Sequence, residues 1–293
     1  MTQRIVRALL LVVMLVPVTT ANAQLERQLA DPGGSVDELF WAPSIVTLPT
    51  VTNVYPGNLN FTIHHSFGLV SGGVDELFGL DGAANIRFGF DYGLTDNLSI
   101  GVGRERFDKV YDARAKWNVF HQTTDGRIPF EMAVAGDVGV TTLKNGLSFN
   151  DRLNYGAALL VARKVNDAVS IQISPLVSHF NVVYRDLDRF GNPVEQQNTH
   201  VAVGIGARWK VRARMALSVE YVPVLGSRSD NTSDALSLGV DLNTFGHVFQ
   251  MFFTSTQWMT MQHSAARNQD RFWDGDFRFG FMVNRVFNLT NDY

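Results

Sequence analysis

Two adjacent histidines, His64 and His65, are the residues in this sequence that most suggest chemistry. Histidine is a common general base and the commonest metal ligand. Successive residues on a β-strand point to opposite faces of the sheet, so the two rings cannot serve one site if this stretch is a strand. His64 then shares a polar face with Asn60, Thr62 and Ser66, and we interpret it as a hydrogen-bonded histidine inside the fold. His65 falls on the apolar face, which we attribute to an interfacial position or a shift in register.

A serine hydrolase would need a serine nucleophile with a base in hydrogen-bond reach. Ser66, Ser174 and Ser178 lie near His64 or His179 in the sequence, but no Gly-x-Ser-x-Gly elbow is present. The sequence also contains no His-Glu-x-x-His and no calcium-loop spacing, and it has no cysteine for thiolate or disulfide chemistry. We therefore expect a protein that is not an enzyme, with no catalytic residue, metal site or cofactor.

The N-terminus has the three-part organisation of a secretory signal peptide. Arg4 and Arg7 precede an apolar run at 8–16, and Ala21-Asn22-Ala23 follows it. The run is too short for a membrane-spanning helix, which needs about 20 apolar residues. We predict a signal peptide at 1–23 and an exported mature chain. The formal net charge of −3 does not suggest a nucleic-acid partner.

Strict alternation of apolar and polar residues defines the elements that must position these side chains. The clearest example is N-I-R-F-G-F-D-Y at 85–92, where one face is apolar and the other polar. Similar alternation recurs at 98–103, 111–119, 130–141, 169–174, 201–211 and 277–284. Less regular segments lie near 59–68, 151–164, 215–225, 235–243 and 247–257. Together they predict about twelve strands.

The polar faces favour a membrane barrel over a soluble sandwich, while a soluble periplasmic barrel stays as an alternative. They carry glycines at consecutive same-face positions, such as Gly101 with Gly103 and Gly204 with Gly206, which suits a crowded lumen. Single strands also carry charges of both signs, as expected of side chains that pair across a lumen. We predict an all-β fold: an antiparallel up-and-down transmembrane β-barrel of about 12 strands at 59–288, followed by a C-terminal tail at 289–293.

Connection lengths predict how this barrel is oriented. Links between strands alternate between short and mostly longer, and outer-membrane barrels place short turns in the periplasm and long loops outside. An even strand number then leaves both termini in the periplasm. Residues 24–58 are rich in Pro and Gly, and we predict that they form a periplasmic N-terminal segment packed against or into the barrel. The string V-D-E-L-F occurs at 36–40 and 74–78, by chance or as a shared one-turn helix.

Several stretches resemble an uncharacterised outer-membrane β-barrel family known only as a domain of unknown function. The central one is F-G-L-D-G-A-A-N-I-R-F-G-F-D-Y-G-L-T-D-N-L-S-I-G-V-G-R at 78–104. I-H-H-S-F-G at 63–68 is similar to the first strand of that family, V-A-R-K-V at 161–165 to its middle hairpin, and G-H-V-F-Q at 246–250 with D-G-D-F-R-F-G-F at 274–281 to its closing strands. The resemblance implies a barrel and no reaction.

The predicted lumen is the candidate functional surface. Its mixed charges favour a narrow porin or channel for small polar solutes in the outer membrane of a Gram-negative bacterium. The alternatives are a closed structural or partner-docking barrel without transport, and a lipid-active enzyme. Expected partners are outer-membrane lipid and a periplasmic protein bound through residues 24–58. The residues predicted to line the lumen are Arg87, Asp91, Arg114, Lys116, Glu131, Asp137, Arg208, Lys210, Glu220, Asp276 and Arg278.

Overall fold

The computed structural model describes residues 33–144, 146–183, 195–244 and 246–289. The predicted signal peptide at 1–23, the start of the predicted N-terminal segment at 24–32 and residues 290–293 of the predicted tail lie outside the described residues. The strands are β1 (Asn58–Leu69), β2 (Asn85–Gly93), β3 (Leu98–Glu105), β4 (Val110–Phe120), β5 (Glu131–Thr141), β6 (Leu153–Lys164), β7 (Val169–Phe180), β8 (Thr199–Arg212), β9 (Met215–Val222), β10 (Val224–Leu225), β11 (Ala235–Thr244), β12 (His247–Thr254) and β13 (Arg278–Asn288), and the one α-helix in the described residues is α1 (Met261–Arg267).

The strands form one closed antiparallel ring. Apart from the two-residue β10, each strand pairs with the strands before and after it, and β1 pairs with β13 to close the ring. Pro223 separates β9 from the short β10 because it has no backbone N–H to donate to the hydrogen-bond ladder. Both β9 and β10 pair with β8, so together they count as one strand of the ring. The barrel therefore has twelve strands in up-and-down order, which confirms the predicted fold class.

The two ends of the barrel differ. The links after β2, β4, β6, β8 and β11 lie at one end, called here the turn end, together with residues 57 and 289 where the chain enters and leaves the barrel. The remaining links, including the longest ones, which follow β7 and β12, begin and end at the other end, called here the loop end.

Alternation places apolar side chains outside the barrel and polar ones inside. On β2, Phe88 and Phe90 are exposed on the outer face, whereas Asn85, Arg87 and Asp91 are buried inside. This follows from the two-residue period of a strand, which sends successive side chains to opposite faces. No helix in the described part of the chain is long and apolar enough to cross a membrane.

Residues 33–57, called here the hairpin plug, fill the turn-end half of the lumen. The chain runs inward from the turn end, reverses around residues 45–48, and returns to begin β1. Its two arms are held together by a bridge between Ser44 and Pro49 and by hydrogen bonds from Thr50 N to Pro43 O at 2.8 Å and from Ile45 N to Leu48 O at 3.0 Å.

The loop-end half of the lumen is filled by residues 255–277, called here the loop plug, which include α1. Its side chains Gln262, His263 and Ser264 are buried although they are polar. An α-helix this short is marginal on its own, so the surrounding barrel must supply its stability.

The two copies of V-D-E-L-F occupy opposite surroundings. In the first copy, Leu39 is 3% exposed and Phe40 5% exposed inside the hairpin plug. In the second copy, Leu77 is 57% exposed and Phe78 52% exposed within the 3-10 helical segment Val70–Gly79 at the loop end. Leu77 and Phe78 both have positive φ, 48° and 55°, an uncommon backbone conformation for residues with large side chains.

Candidate functional site

Two ion pairs cross the charged part of the lumen wall. Arg87 on β2 makes a two-point contact with Asp112 on β4, with Arg87 Nε to Asp112 Oδ2 at 2.9 Å. Arg114 on β4 bonds Asp91 on β2, with Nε to Oδ1 at 2.6 Å. Both pairs lie across the intervening strand β3, whose inward residue Gly103 leaves the necessary space. A Cβ at Gly103 would lie 2.0 Å from Arg87 Nη2.

The tip of the hairpin plug is held by one carboxylate. Glu220 on β9 accepts hydrogen bonds from the backbone N–H groups of Val46 at 2.8 Å, Thr47 at 3.0 Å and Leu48 at 3.0 Å. The Thr47 hydroxyl donates a fourth bond at 2.6 Å. The reversal at the tip leaves consecutive N–H groups without partners inside the hairpin, and the carboxylate satisfies them together.

Other wall side chains bind the plug along its length. Lys116 Nζ donates to Thr50 O at 2.8 Å and also to Thr52 O. Gln172 Oε1 accepts a hydrogen bond from Val51 N at 3.0 Å, and Gln172 Nε2 donates one to Pro49 O at 2.8 Å. The backbone of a segment without regular secondary structure is thus satisfied by wall side chains.

Arg208 and Asn118 extend the same pattern towards the turn end. Arg208 donates to Glu38 O and lies over the Trp41 ring at 4.8 Å from its centroid. Asn118 Nδ2 donates to Val51 O at 2.8 Å and to Glu131 Oε1 at 2.7 Å.

Two glycines on β8 receive the apolar side chains of the plug. A Cβ at Gly204 would lie 2.5 Å from Leu48 Cδ1, and one at Gly206 would lie 2.3 Å from Ile45 Cδ1. A side chain at either position would therefore force Leu48 or Ile45 to shift from the place it occupies. Of the same-face glycine pairs noted in the sequence, Gly204 with Gly206 therefore marks where the plug packs against the wall, whereas Gly101 with Gly103 leaves space for the ion pairs.

The loop plug contacts the wall through polar and aromatic groups. Gln262 Nε2 donates to Asp137 Oδ1 at 2.8 Å, and Arg267 Nη1 bonds Asp108 Oδ2 at 2.7 Å. Arg267 also lies over the Phe180 ring at 4.3 Å. Burial, and secondarily the Arg267 charge, lowers the pKa of His263 well below its usual value, which favours a neutral ring bonded to the Thr260 hydroxyl at 2.7 Å.

The predicted lumen residues fall on the inner wall with one correction. Lys210 lies on the inward face of β8 at the turn end, half-buried, and Arg278 is buried at the start of β13. Asp276 lies outside the strands because β13 begins only at Arg278. It belongs instead to the loop plug, where it accepts a 3.4 Å bond from the Ser71 hydroxyl.

A small cavity of about 70 Å³ separates the two plugs. It is lined by the ion-pair residues Arg87, Asp91 and Arg114, and by His64. The His64 ring lies edge-on to Phe252, at 5.4 Å between centroids. The two plugs occupy the lumen where an open aqueous channel would run, and this small cavity lies between them.

The serines and histidines do not form the dyads considered from the sequence. Ser178 donates to Gln262 O at 2.8 Å, and His179 bonds Thr199 at 2.7 Å. A different contact, Ser229 Oγ to His200 Nε2 at 3.2 Å, was not evident from the sequence. His200 Nδ1 has no hydrogen-bond partner, so this pair lacks the third group that orients a catalytic base. Among the described residues, no three His, Cys, Asp or Glu side chains are grouped so that they could hold a metal ion.

A closed barrel with an apolar outer surface and a charged inner wall is a membrane β-barrel. A family model described as a membrane-bound β-barrel domain (DUF5777) matches residues 40–287, and the chain belongs to this family, which confirms the resemblance seen in the sequence. No curated protein matches the chain significantly.

Several solved structures are similar at low identity. The NanC porin has a TM-score of 0.49 and 7% identity, covering 78% of this chain and 98% of that one. The OmpF complex with daunomycin from Salmonella typhi has a TM-score of 0.37 and 6% identity, covering 78% and 97%. The translocator domain of the autotransporter NalP from Neisseria meningitidis has a TM-score of 0.36 and 9% identity, covering 81% and 90%. The class of protein rests on the family match.

Proposed function

We propose that this protein is an outer-membrane channel for small polar solutes that is closed at rest, with the hairpin plug as its gate. The observation that carries the proposal is the way the plug is held. Wall side chains such as Glu220, Gln172 and Lys116 hydrogen-bond its backbone. No cysteine is present to hold it covalently.

The polar part of this attachment favours a plug that can leave, and the apolar side chains Leu48 and Ile45 that pack at Gly204 and Gly206 must leave with it. An intramolecular hydrogen bond contributes only about 0.5–1.5 kcal/mol net, because water replaces it when it breaks. A permanently sealed interior would gain more from apolar residues, since replacing a buried ion pair by packed apolar side chains is often neutral or stabilising. The pairs Arg87–Asp112 and Arg114–Asp91 are therefore better suited to a lumen that hydrates.

Orientation follows from the rule for outer-membrane barrels, which places short turns in the periplasm. On this basis the turn end faces the periplasm, and the hairpin plug leaves the lumen on that side. The loop plug then faces outward. In this proposal the protein is a passive channel and not an enzyme, and its interior groups stabilise the closed state.

Planar-bilayer recording tests the gate. We expect the full chain to give rare, brief conductance steps, and a variant lacking 33–56 to open more often. A variant that also lacks 256–270 should conduct steadily, and its conductance is that of the unplugged lumen. No conductance step of the full chain should exceed this value. A full chain that never conducts at any voltage the bilayer tolerates would refute the proposal. A heat-modifiability gel verifies that each barrel is folded.

The second candidate is a closed docking barrel, favoured by the occlusion of both halves of the lumen. The first part of the hairpin plug lies along the β4–β5 link, where Val36 N donates to Gln122 O at 2.7 Å and Ser35 pairs with Thr123. In this case residues 24–58 bind a periplasmic protein. Two results together would favour the docking barrel. The full chain should pull down a partner that the folded variant lacking 33–56 does not, and the full chain should show no conductance.

A further inference from the structure

The wall holds the inner part of the hairpin plug by its main chain. In residues 44–52, every residue has a main-chain N–H or C=O that is hydrogen-bonded to a wall side chain. Among the described residues, the Thr47 hydroxyl is the one side-chain group of this stretch that also bonds the wall. The wall therefore recognises groups that every peptide has.

The carbonyl groups of residues 49–52 show this pattern most clearly. These four consecutive oxygens accept hydrogen bonds from Gln172 on β7 and from Lys116 and Asn118 on β4. Gln172 also accepts a bond from Val51 N at 3.0 Å. Its side-chain amide thus offers one donor and one acceptor to the main chain, as the peptide group of a neighbouring strand does when a sheet binds an extended peptide.

The main chain at the tip of the plug is held in the same way. Glu220 accepts hydrogen bonds from the three consecutive N–H groups of residues 46–48. Gln250 on β12 donates to Ile45 O at 2.9 Å and to Ser44 O at 3.3 Å. A separate peptide can present the same groups, because none of them belongs to a particular side chain.

Two apolar contacts add a preference for certain side chains. Leu48 packs at Gly204 and Ile45 packs at Gly206, where β8 has no side chain to occupy the space. Main-chain hydrogen bonds combined with pockets for selected side chains are the means by which proteins bind extended peptides. A peptide with two apolar residues three positions apart therefore fits the same wall.

Filling the lumen does not by itself require this arrangement. A plug can satisfy its main chain internally by forming a helix, as residues 261–267 of the loop plug do. In residues 44–52, by contrast, the internal main-chain bonds are those from Ile45 N to Leu48 O and from Thr50 N to Pro43 O. The other main-chain bonds of this stretch go to wall side chains, so the wall carries the features of a peptide-binding site.

We propose that this wall binds short extended peptides, and that residues 44–52 occupy the same site intramolecularly in the closed state. The inference deepens the proposed channel function, and it rests on that function in naming peptides as the solutes. When the hairpin plug leaves the lumen, a peptide takes its place. The plug and the peptide exclude each other, because both use the same wall groups.

Fluorescence anisotropy tests the site in the full chain. The probe is the peptide P-S-I-V-T-L-P-T-V-T of residues 43–52, with an N-terminal fluorophore and a C-terminal amide. The tethered plug competes at a high effective concentration, so the chain carries Leu48→Asp, which weakens the plug and leaves the wall unchanged. Leu48→Ala is tested in parallel because it weakens the same contact without adding a charge. We expect saturable binding to both variants and much weaker binding to the unchanged chain.

A methyl group on the Val51 nitrogen of the probe tests main-chain recognition. It removes one donor and should weaken binding about threefold to tenfold, the range for one neutral hydrogen bond. With Gln172→Ala in the wall, the methyl group should cause no further loss, because the partner of that donor is absent. Gln262→Ala is the matched control and should leave the affinity unchanged. Gln262 is also a fully buried glutamine, but its amide bonds Asp137 and Asn154.

The inference is overturned if neither plug-weakened variant binds the probe saturably while a heat-modifiability gel shows a folded barrel. Equal affinity for the methylated and unmethylated probes, or an equal loss with Gln262→Ala and Gln172→Ala, also overturns it. Because anisotropy needs no conductance, the two proposals fail separately. A chain that binds the probe but never conducts supports the peptide site and rejects the channel, whereas a conducting chain that binds no probe rejects peptides as the solutes.

Discussion

Replacing Glu220 with alanine should release the hairpin plug. The carboxylate accepts four hydrogen bonds from residues 46–48. At about 1.5 kcal/mol for each bond to a charged acceptor, these contribute about 6 kcal/mol. Burying the carboxylate costs several kcal/mol, which offsets about half of that gain. The net loss on substitution is about 3 kcal/mol, or about a hundredfold in the population with the plug out of place.

The absence of native cysteine provides a direct assay. Val51 lies in the hairpin plug and is fully buried, so Val51→Cys creates a single thiol that is protected while the plug is in place. Labelling by a membrane-impermeant maleimide then reports the open population, provided that closing is faster than the reaction. We expect Glu220→Ala to raise the labelling rate about a hundredfold.

Glu105→Ala is the matched control. Glu105 on β3 is also a fully buried glutamate, but it bonds Asn85 and the backbone of Met259 in the loop plug rather than the hairpin plug. Labelling of Val51→Cys should therefore not change with this substitution. If Glu220→Ala leaves the labelling rate as it was in a folded barrel, or if Glu105→Ala raises it equally, the account of how the plug is held is wrong.

Three further predictions concern other parts of the molecule. The pKa of His121 is raised, chiefly by its hydrogen bond to Glu131. This bond therefore stabilises the barrel fully below the usual histidine pKa of about 6.5, and its contribution is lost as the pH rises through the raised pKa. His121→Gln should remove this pH-dependent contribution, which is measured from urea unfolding midpoints at pH values on both sides of the raised pKa. Gly204→Val should displace Leu48 and increase channel opening, and adding Leu48→Ala should reverse the increase; no reversal contradicts the packing. Val102→Arg, on the exposed outer face of β3, should cost about 2–4 kcal/mol in vesicle unfolding, whereas an unchanged free energy of unfolding would contradict its placement in lipid.

The wall of the barrel could be predicted from the sequence because its signal is local. A two-residue period needs only neighbouring residues, and it correctly placed Arg87 inside and Phe88 outside. The error at Asp276 arose at a strand end, where alternation continues in the sequence although pairing begins at Arg278. Periodicity alone does not mark where a ladder of hydrogen bonds starts.

The plugs could not be placed in the same way. The contact between Thr47 and Glu220 joins residues 173 positions apart, and the hairpin plug has no period that reveals which face it buries. The pair Ser229 and His200 is separated by 29 positions and joins the β10–β11 link to the loop end of β8. The glycines at 204 and 206 were the one local signal of the plug, because consecutive glycines on the inward face of a strand leave space for another segment of the chain.

The two copies of V-D-E-L-F give the folded protein an internal pair of epitope tags. An antibody against this pentapeptide meets Leu77 and Phe78 at the loop end, whereas Leu39 and Phe40 are enclosed in the lumen. The copy at 74–78 therefore reports on the loop-end compartment whenever the barrel is folded. In the copy at 36–40, Asp37 and Glu38 are exposed whereas Leu39 and Phe40 are buried. If the hairpin plug is the proposed gate, an antibody that needs all five residues would bind this copy only after the plug leaves the lumen.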